Sequence, residues 1–275
     1  MGFIFDKINL KKENSVDIHD EFVKPFIEAE VMDSYINYHS LKDNPWDKVL
    51  YEKSFSDGIV YRIYGNDYVL EQGIGKFGFE LEDKKHKRKL AELIFSINNS
   101  TTNKFFNLGH RVIDSKHIGI SGTDFLKKAE EYLRILKNHN ELLSNKIKCE
   151  VSQPKVLKWF EKNKFTFSED NTQNPEDFFK VEGQGLSPVN NYRFIKVLDS
   201  ENNILKDEYL INQDFILDKD FQSKWKDSLD MKNFKNSKDP EVIIDLGRDN
   251  MGAGNIIEEL IEKKYIPRFN LEKDI

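Results

Sequence analysis

Cysteine is nearly absent: the 275 residues include one, Cys149, so no intramolecular disulfide is possible and the fold must hold without staples. A lone thiol suits a reducing compartment, and the cytoplasm is the expected location. On a predicted strand, Cys149 is expected to be a small core residue and not a nucleophile. Long apolar runs are missing too. No stretch approaches the ~18 consecutive apolar residues of a membrane-spanning helix. The first ten residues mix acids and bases with apolar side chains, so no signal peptide is expected. Excess positive charge is lacking as well, since 42 lysines and arginines face 48 acids for a net charge of −6. That balance gives no global positive field, and neither a nucleic acid nor a membrane is an expected partner. The 6 histidines show no paired ligand spacing, which predicts no metal site. There is no Gly-x-Ser-x-Gly elbow, Walker loop or fixed-period repeat.

What is present reads as an α/β (α+β) protein with a mixed, largely antiparallel sheet. Residues 1–45 form a helical N-terminal segment, with Ile18, Phe22, Phe26, Ile27, Val31 and Ile36 at helical spacing and an interruption near Pro25. Strand-like runs follow at Ile59 to Tyr64, Tyr68 to Gln72 and Lys76 to Leu81. The basic run Lys84 to Lys89 opens a predicted helix to about Asn99, striped by Leu90, Leu93, Ile94 and Ile97, whose charges are expected to form a solvated face. Phe105 to Ile113 reads as a strand. Thr123 to Lys137 has the cleanest helical periodicity in the chain, and Lys146 to Val151, Lys155 to Lys162 and Phe165 to Phe167 read as strand, helix and strand. These place a core at 46–170. Residues 171–190, rich in Asn, Asp, Glu, Gly and Pro, are expected as a linker or long loop. Beyond it a smaller α+β domain at 191–275 is predicted, with a hairpin of Tyr192 to Leu198 and Glu208 to Ile211. A helix over Phe221 to Leu229, a strand over Val242 to Leu246 and a helix over Asn255 to Lys264 complete it.

The segment Lys116-His-Ile-Gly119-Ile-Ser121-Gly122-Thr123 lies between a predicted strand and the best helix. Small residues let backbone N–H groups approach a phosphate, and the helix N-terminus adds donors and a positive dipole end. An ordinary capped strand-to-helix turn has the same composition. Downstream, Gln153, Val156, Trp159, Phe160, Lys162 and Phe165 recur at positions 0, 3, 6, 7, 9 and 12 of one stretch.

Together these two segments, within residues 105–167, resemble the acyl-CoA-binding half of GNAT-family N-acetyltransferases. Those enzymes carry an Arg/Gln-x-x-Gly-x-Gly/Ala loop between their fourth strand and third helix. The resemblance implies an acyl-CoA-dependent N-acyltransferase with acetyl-CoA as cofactor and an amine-bearing small molecule or protein as acceptor. It places Lys116, Gly119, Ser121, Gly122 and Thr123 at the pyrophosphate, and Trp159 and Phe160 at the pantetheine and thioester end. The pattern departs from the family at three positions. Phe160 stands where many members carry a tyrosine that protonates the leaving thiolate, Asp124 puts negative charge beside the loop, and Lys164 replaces a glycine.

The chemistry calls for a base or water chain that deprotonates the attacking amine. Glu71, Glu80 and Glu82 on or beside the predicted strands, and His110 and Asp114 ahead of the loop, are the candidates. A second Gly-bearing turn, Gly247 to Gly254, follows a strand as nucleotide-binding turns do, but residues 256–275 leave too little chain for the remaining units of such a fold. The alternative to an enzyme is a non-catalytic protein-interaction module on a degenerate acetyltransferase-like core, to which the missing tyrosine points.

Overall fold

In this computed structural model the described residues are 18–33, 48–55, 58–65, 75–100, 103–113, 119–139, 145–169, 174–182, 185–189, 191–199, 204–230, 242–245 and 253–275. They form an α+β protein with mostly antiparallel sheet, divided into two compact units: Met1–Ile147 with Asp274–Ile275, and Lys148–Lys273.

The first unit begins with helix α1 (Ile18–Phe22) and a short helix α2 (28–33). The break between them falls at Pro25, whose ring and missing N–H cannot continue a helix. Five antiparallel strands follow, ordered β1 (Lys48–Ser54), β2 (Ile59–Gly65), β3 (Gly75–Asp83), β4 (Arg88–Ser100) and β5 (Asn103–Ile113). Side chains alternate across the sheet. Tyr61, Ile63, Phe77, Phe79, Leu93 and Phe95 are buried on one face, while Arg62, Tyr64, Glu80 and Glu82 point to the other. Helix α3 (Gly122–His139) covers the apolar face with Phe125, Leu126, Ala129, Tyr132, Leu133 and Leu136. Its Tyr132 ring meets Phe77 and Phe79 at 6.4 and 5.7 Å, and Phe125 meets Tyr61 at 5.9 Å. Full burial of a ring such as Phe77, Phe79 or Phe125 stabilises the fold by about 1.5–3 kcal/mol.

The expected helix over Lys84 to Asn99 is a strand instead. Lys84 to Lys87 form the exposed hairpin turn, with Lys87 in the left-handed region at φ 52°, and β4 runs beyond it. Leu90, Leu93, Ile94 and Ile97 have helical spacing, but the buried Ala91, Leu93 and Phe95 alternate as a strand requires, and pairing with β3 and β5 on either side decides for the strand. β1 went unforeseen, and the expected strand at Tyr68 to Gln72 lies outside the described residues.

The second unit contains most of β6 (Lys146–Val151), then α4 (Pro154–Lys162) and β7 (Thr166–Phe167). The expected linker at 171–190 holds a 3-10 turn at Pro175–Asp177 and a hairpin of β8 (Phe179–Glu182) and β9 (Gly185–Pro188). Next come β10 (Tyr192–Asp199), β11 (Ile204–Asn212), α5 (Lys219–Lys224), β12 (Leu229–Asp230), β13 (Val242–Asp245), α6 (Ala253–Glu262) and β14 (Phe269–Asp274). The helix expected over Phe221 to Leu229 ends early: Trp225 to Ser228 turn, and Leu229 pairs with Ile244. Strands β11, β10, β13 and β12 form a sheet in that order, with β10 and β13 parallel. Ile195, Val197, Phe221, Trp225, Ile256 and Leu260 are among the side chains of its core. The last strand, β14, unforeseen in the sequence, lies between β6 and β7.

Candidate functional site

The loop that leads into α3 is the best-defined of the expected sites. Gly119 takes a positive φ of 81°, a conformation glycine adopts without penalty. Ser121 and Asp124 then form a reciprocal cap: the Asp124 N–H donates to Ser121 Oγ at 3.1 Å, while the Ser121 hydroxyl and N–H donate to Asp124 Oδ2 at 2.5 and 3.2 Å. Burial pushes the Asp124 carboxyl upward, but the Ser121 donors, followed by His19 and Lys127, outweigh it and leave its pKa below the ordinary value. His19 Nε2 stands 3.6 Å from Asp124 Oδ2, and His19 Cβ would lie 3.7 Å from a methyl group at position 119. So α1 brings an imidazole against the loop. Sequence reasoning missed it because the two segments are a hundred residues apart.

Lys116 and Asp114 lie outside the described residues, as does Glu71. Gly119, Ser121, Gly122 and Thr123 come together in the turn and first residues of α3. His110 lies on β5, opposite Ile94 of β4. Trp159 and Phe160 belong to α4 of the second unit. Phe160 is 0 % exposed, wedged against Trp159 at 5.0 Å and Phe165 at 4.7 Å, whereas Trp159 is half-buried.

Glu80 and Glu82 sit on the polar face of the sheet inside a charge network that no motif announced. Arg62 on β2 reaches Glu52 at 2.6 Å, Glu82 at 2.7 Å and Glu80 at 3.5 Å. Lys89 contacts Glu80 at 3.1 Å and also Glu92, to which the Tyr64 hydroxyl donates at 3.2 Å. The hydrogen bond to Glu52, ahead of that to Glu82, raises the Arg62 pKa, and Arg62 lowers that of Glu52. Burial presses the Lys89 ammonium down, but its bonds to Glu92 and Glu80 carry it above the ordinary value.

Cys149 is buried at 2 % exposure, as expected of a core residue. Among the described residues no group of three His, Cys, Asp or Glu side chains is placed to hold a metal ion, and no helix is long and apolar enough to cross a membrane. A scan against protein families gave no match, and no curated protein matches the chain.

Proposed function

We propose that this protein is an acyl-CoA-dependent N-acyltransferase, with acetyl-CoA as donor and an amine-bearing small molecule or protein as acceptor. The observation that carries the reading is the left-handed Gly119 three residues ahead of the start of an 18-residue helix, in the connection from an 11-residue antiparallel strand. A strand, a glycine-bearing connection and a helix N-terminus, in that order, are what a pyrophosphate-binding loop uses, and this order supports the reading. Hairpin formation at Lys84 to Lys87 supports it further, because a helix inserted there would have separated two strands that GNAT enzymes join by a short turn.

In this scheme Lys116 and the backbone of Gly119, Ser121, Gly122 and Thr123 face the pyrophosphate. The resemblance puts Trp159 and Phe160 at the pantetheine and thioester end, but Phe160, 0 % exposed between Trp159 and Phe165, acts there only through packing and does not touch the thioester. Glu80 and Glu82 are each engaged by a cation, so an approaching amine would have to compete with Arg62 or Lys89 for their oxygens. His110 and Asp114, ahead of the loop in sequence, are therefore the better bases. Phe160 has no proton to give the leaving thiolate, so protonation falls to solvent or another group.

The test is release of free CoA thiol from acetyl-CoA in the presence of a panel of primary amines. Amine-dependent release above the background rate is expected with at least one amine, and its absence with every amine rejects the enzyme. The second reading, a non-catalytic interaction module, is favoured by Asp124, which already takes the Ser121 donors, and by the enclosed Phe160.

A further inference from the structure

Between the α1–α2 break and the ends of β1 and β2, wholly within the first unit, lies a cavity of about 410 Å³. Pockets for small organic ligands span roughly 300–1,000 Å³. Five rings, Phe22, Phe26, Tyr51, Phe55 and Tyr61, border it. The walls are pinned from α3: Glu131 accepts from the Phe26 N–H at 2.8 Å, and Lys128 donates to the Lys24 carbonyl while lying 3.7 Å over the Phe26 ring. A cavity held in this way is preformed and does not have to be ordered by its occupant.

The charged groups around it are largely matched to one another. Glu21 pairs with Lys24 at 2.9 Å and Lys53 at 3.3 Å, Glu52 with Arg62 at 2.6 Å, and Lys128 with Glu131 at 3.1 Å. Glu30 also borders the cavity and has no ion pair among the described residues; the other charged groups do not call for a counter-ion. Two features remain for an occupant. Ile27 borders the cavity yet is 59 % exposed, an apolar surface that a seated molecule would cover. The Tyr51 hydroxyl has no hydrogen-bond partner among the described residues. Burial, then Glu30 and Glu21, raise its pKa, so it stays protonated and able to donate.

We propose that this cavity binds a small uncharged molecule built on a planar ring and carrying one hydrogen-bond acceptor, which stacks among the rings and accepts from Tyr51. The inference is independent of the acyltransferase reading. Benzamide, benzoate and benzylamine share a ring and differ in charge, so saturation-transfer NMR titrations of the three against the full chain test it. Benzamide is expected to bind most tightly. Tyr51→Phe should weaken it about fivefold, the effect of one hydrogen bond, and Ile27→Glu at the exposed rim should abolish it with the melting temperature preserved. Tighter binding of benzoate or benzylamine overturns the neutral assignment, and binding unchanged in Tyr51→Phe overturns the hydrogen bond. Benzamide binding that survives Ile27→Glu, or no binding of any probe, overturns the site.

Discussion

The ring of Tyr64 occupies the space that any side chain at Gly78, its partner across β2 and β3, would need. A methyl group at position 78 would lie 2.0 Å from the ring atoms Cε2 and Cζ. The ring thus covers the glycine on the polar face of the sheet, and its hydroxyl reaches Glu92 on β4. A glycine weakens a strand because it brings nothing to pack, and a cross-strand aromatic restores that packing.

Gly78→Ala is therefore expected to destabilise the first unit by about 1–3 kcal/mol, the usual range for overpacking a filled site. In thermal denaturation, Tyr64→Ala in the same chain should recover part of the loss. Additive losses would show that the two residues do not share that space.

Arg62→Met removes the cation that three carboxylates share and should cost about 1–2 kcal/mol near pH 7, a modest figure because Glu52 is solvent-exposed. The folded pKa of Glu52 is depressed, so its contribution is present above the unfolded carboxylate value and is lost as pH falls through the folded one. Urea denaturation of both proteins should show a gap that is widest near neutrality and narrows toward pH 3.

Much of the fold is legible in the sequence where one periodicity dominates. Helix α3 shows itself through Phe125, Leu126, Ala129, Tyr132, Leu133 and Leu136, and β2 through a buried face of Tyr61 and Ile63. Legibility fails where a short apolar set fits two periods, as at Leu90 to Ile97, and the neighbouring strands choose. It fails too for β14, whose Phe269 and Leu271 are buried among charged residues and gain meaning only beside β6 and β7. At the candidate site, Gly119 and the Ser121–Asp124 cap are local and readable. His19 beside them and Arg62 among the glutamates depend on long-range packing and leave no local signal.

Asp124→Asn should strengthen acetyl-CoA binding about fivefold by removing a like charge from the helix N-terminus, while weakening the cap by about 0.5–1 kcal/mol. Its carboxyl is held below the ordinary value in the folded state, so the stabilisation it gives is complete above the unfolded pKa and disappears as pH falls through the folded one. Calorimetric titration and melting curves of the variant read the two effects separately.

Phe160→Tyr adds a hydroxyl to a ring that is 0 % exposed and enclosed by Trp159 and Phe165. A buried hydroxyl without a partner costs about 1–3 kcal/mol. The melting temperature should fall, with no gain in thiol release from acetyl-CoA. A stable variant with faster release would show instead that position 160 reaches the thioester.

The proposed acyltransferase activity requires the turn at Gly119 to bind the pyrophosphate of an acyl-CoA. Isothermal titration of acetyl-CoA into the full chain, with Gly119→Glu as the control that places a carboxylate in the turn, tests it most directly. Saturable binding at submillimolar to millimolar concentration is expected, abolished in the control while its circular dichroism stays that of the parent. No binding at millimolar acetyl-CoA, or equal binding by the control, would contradict it.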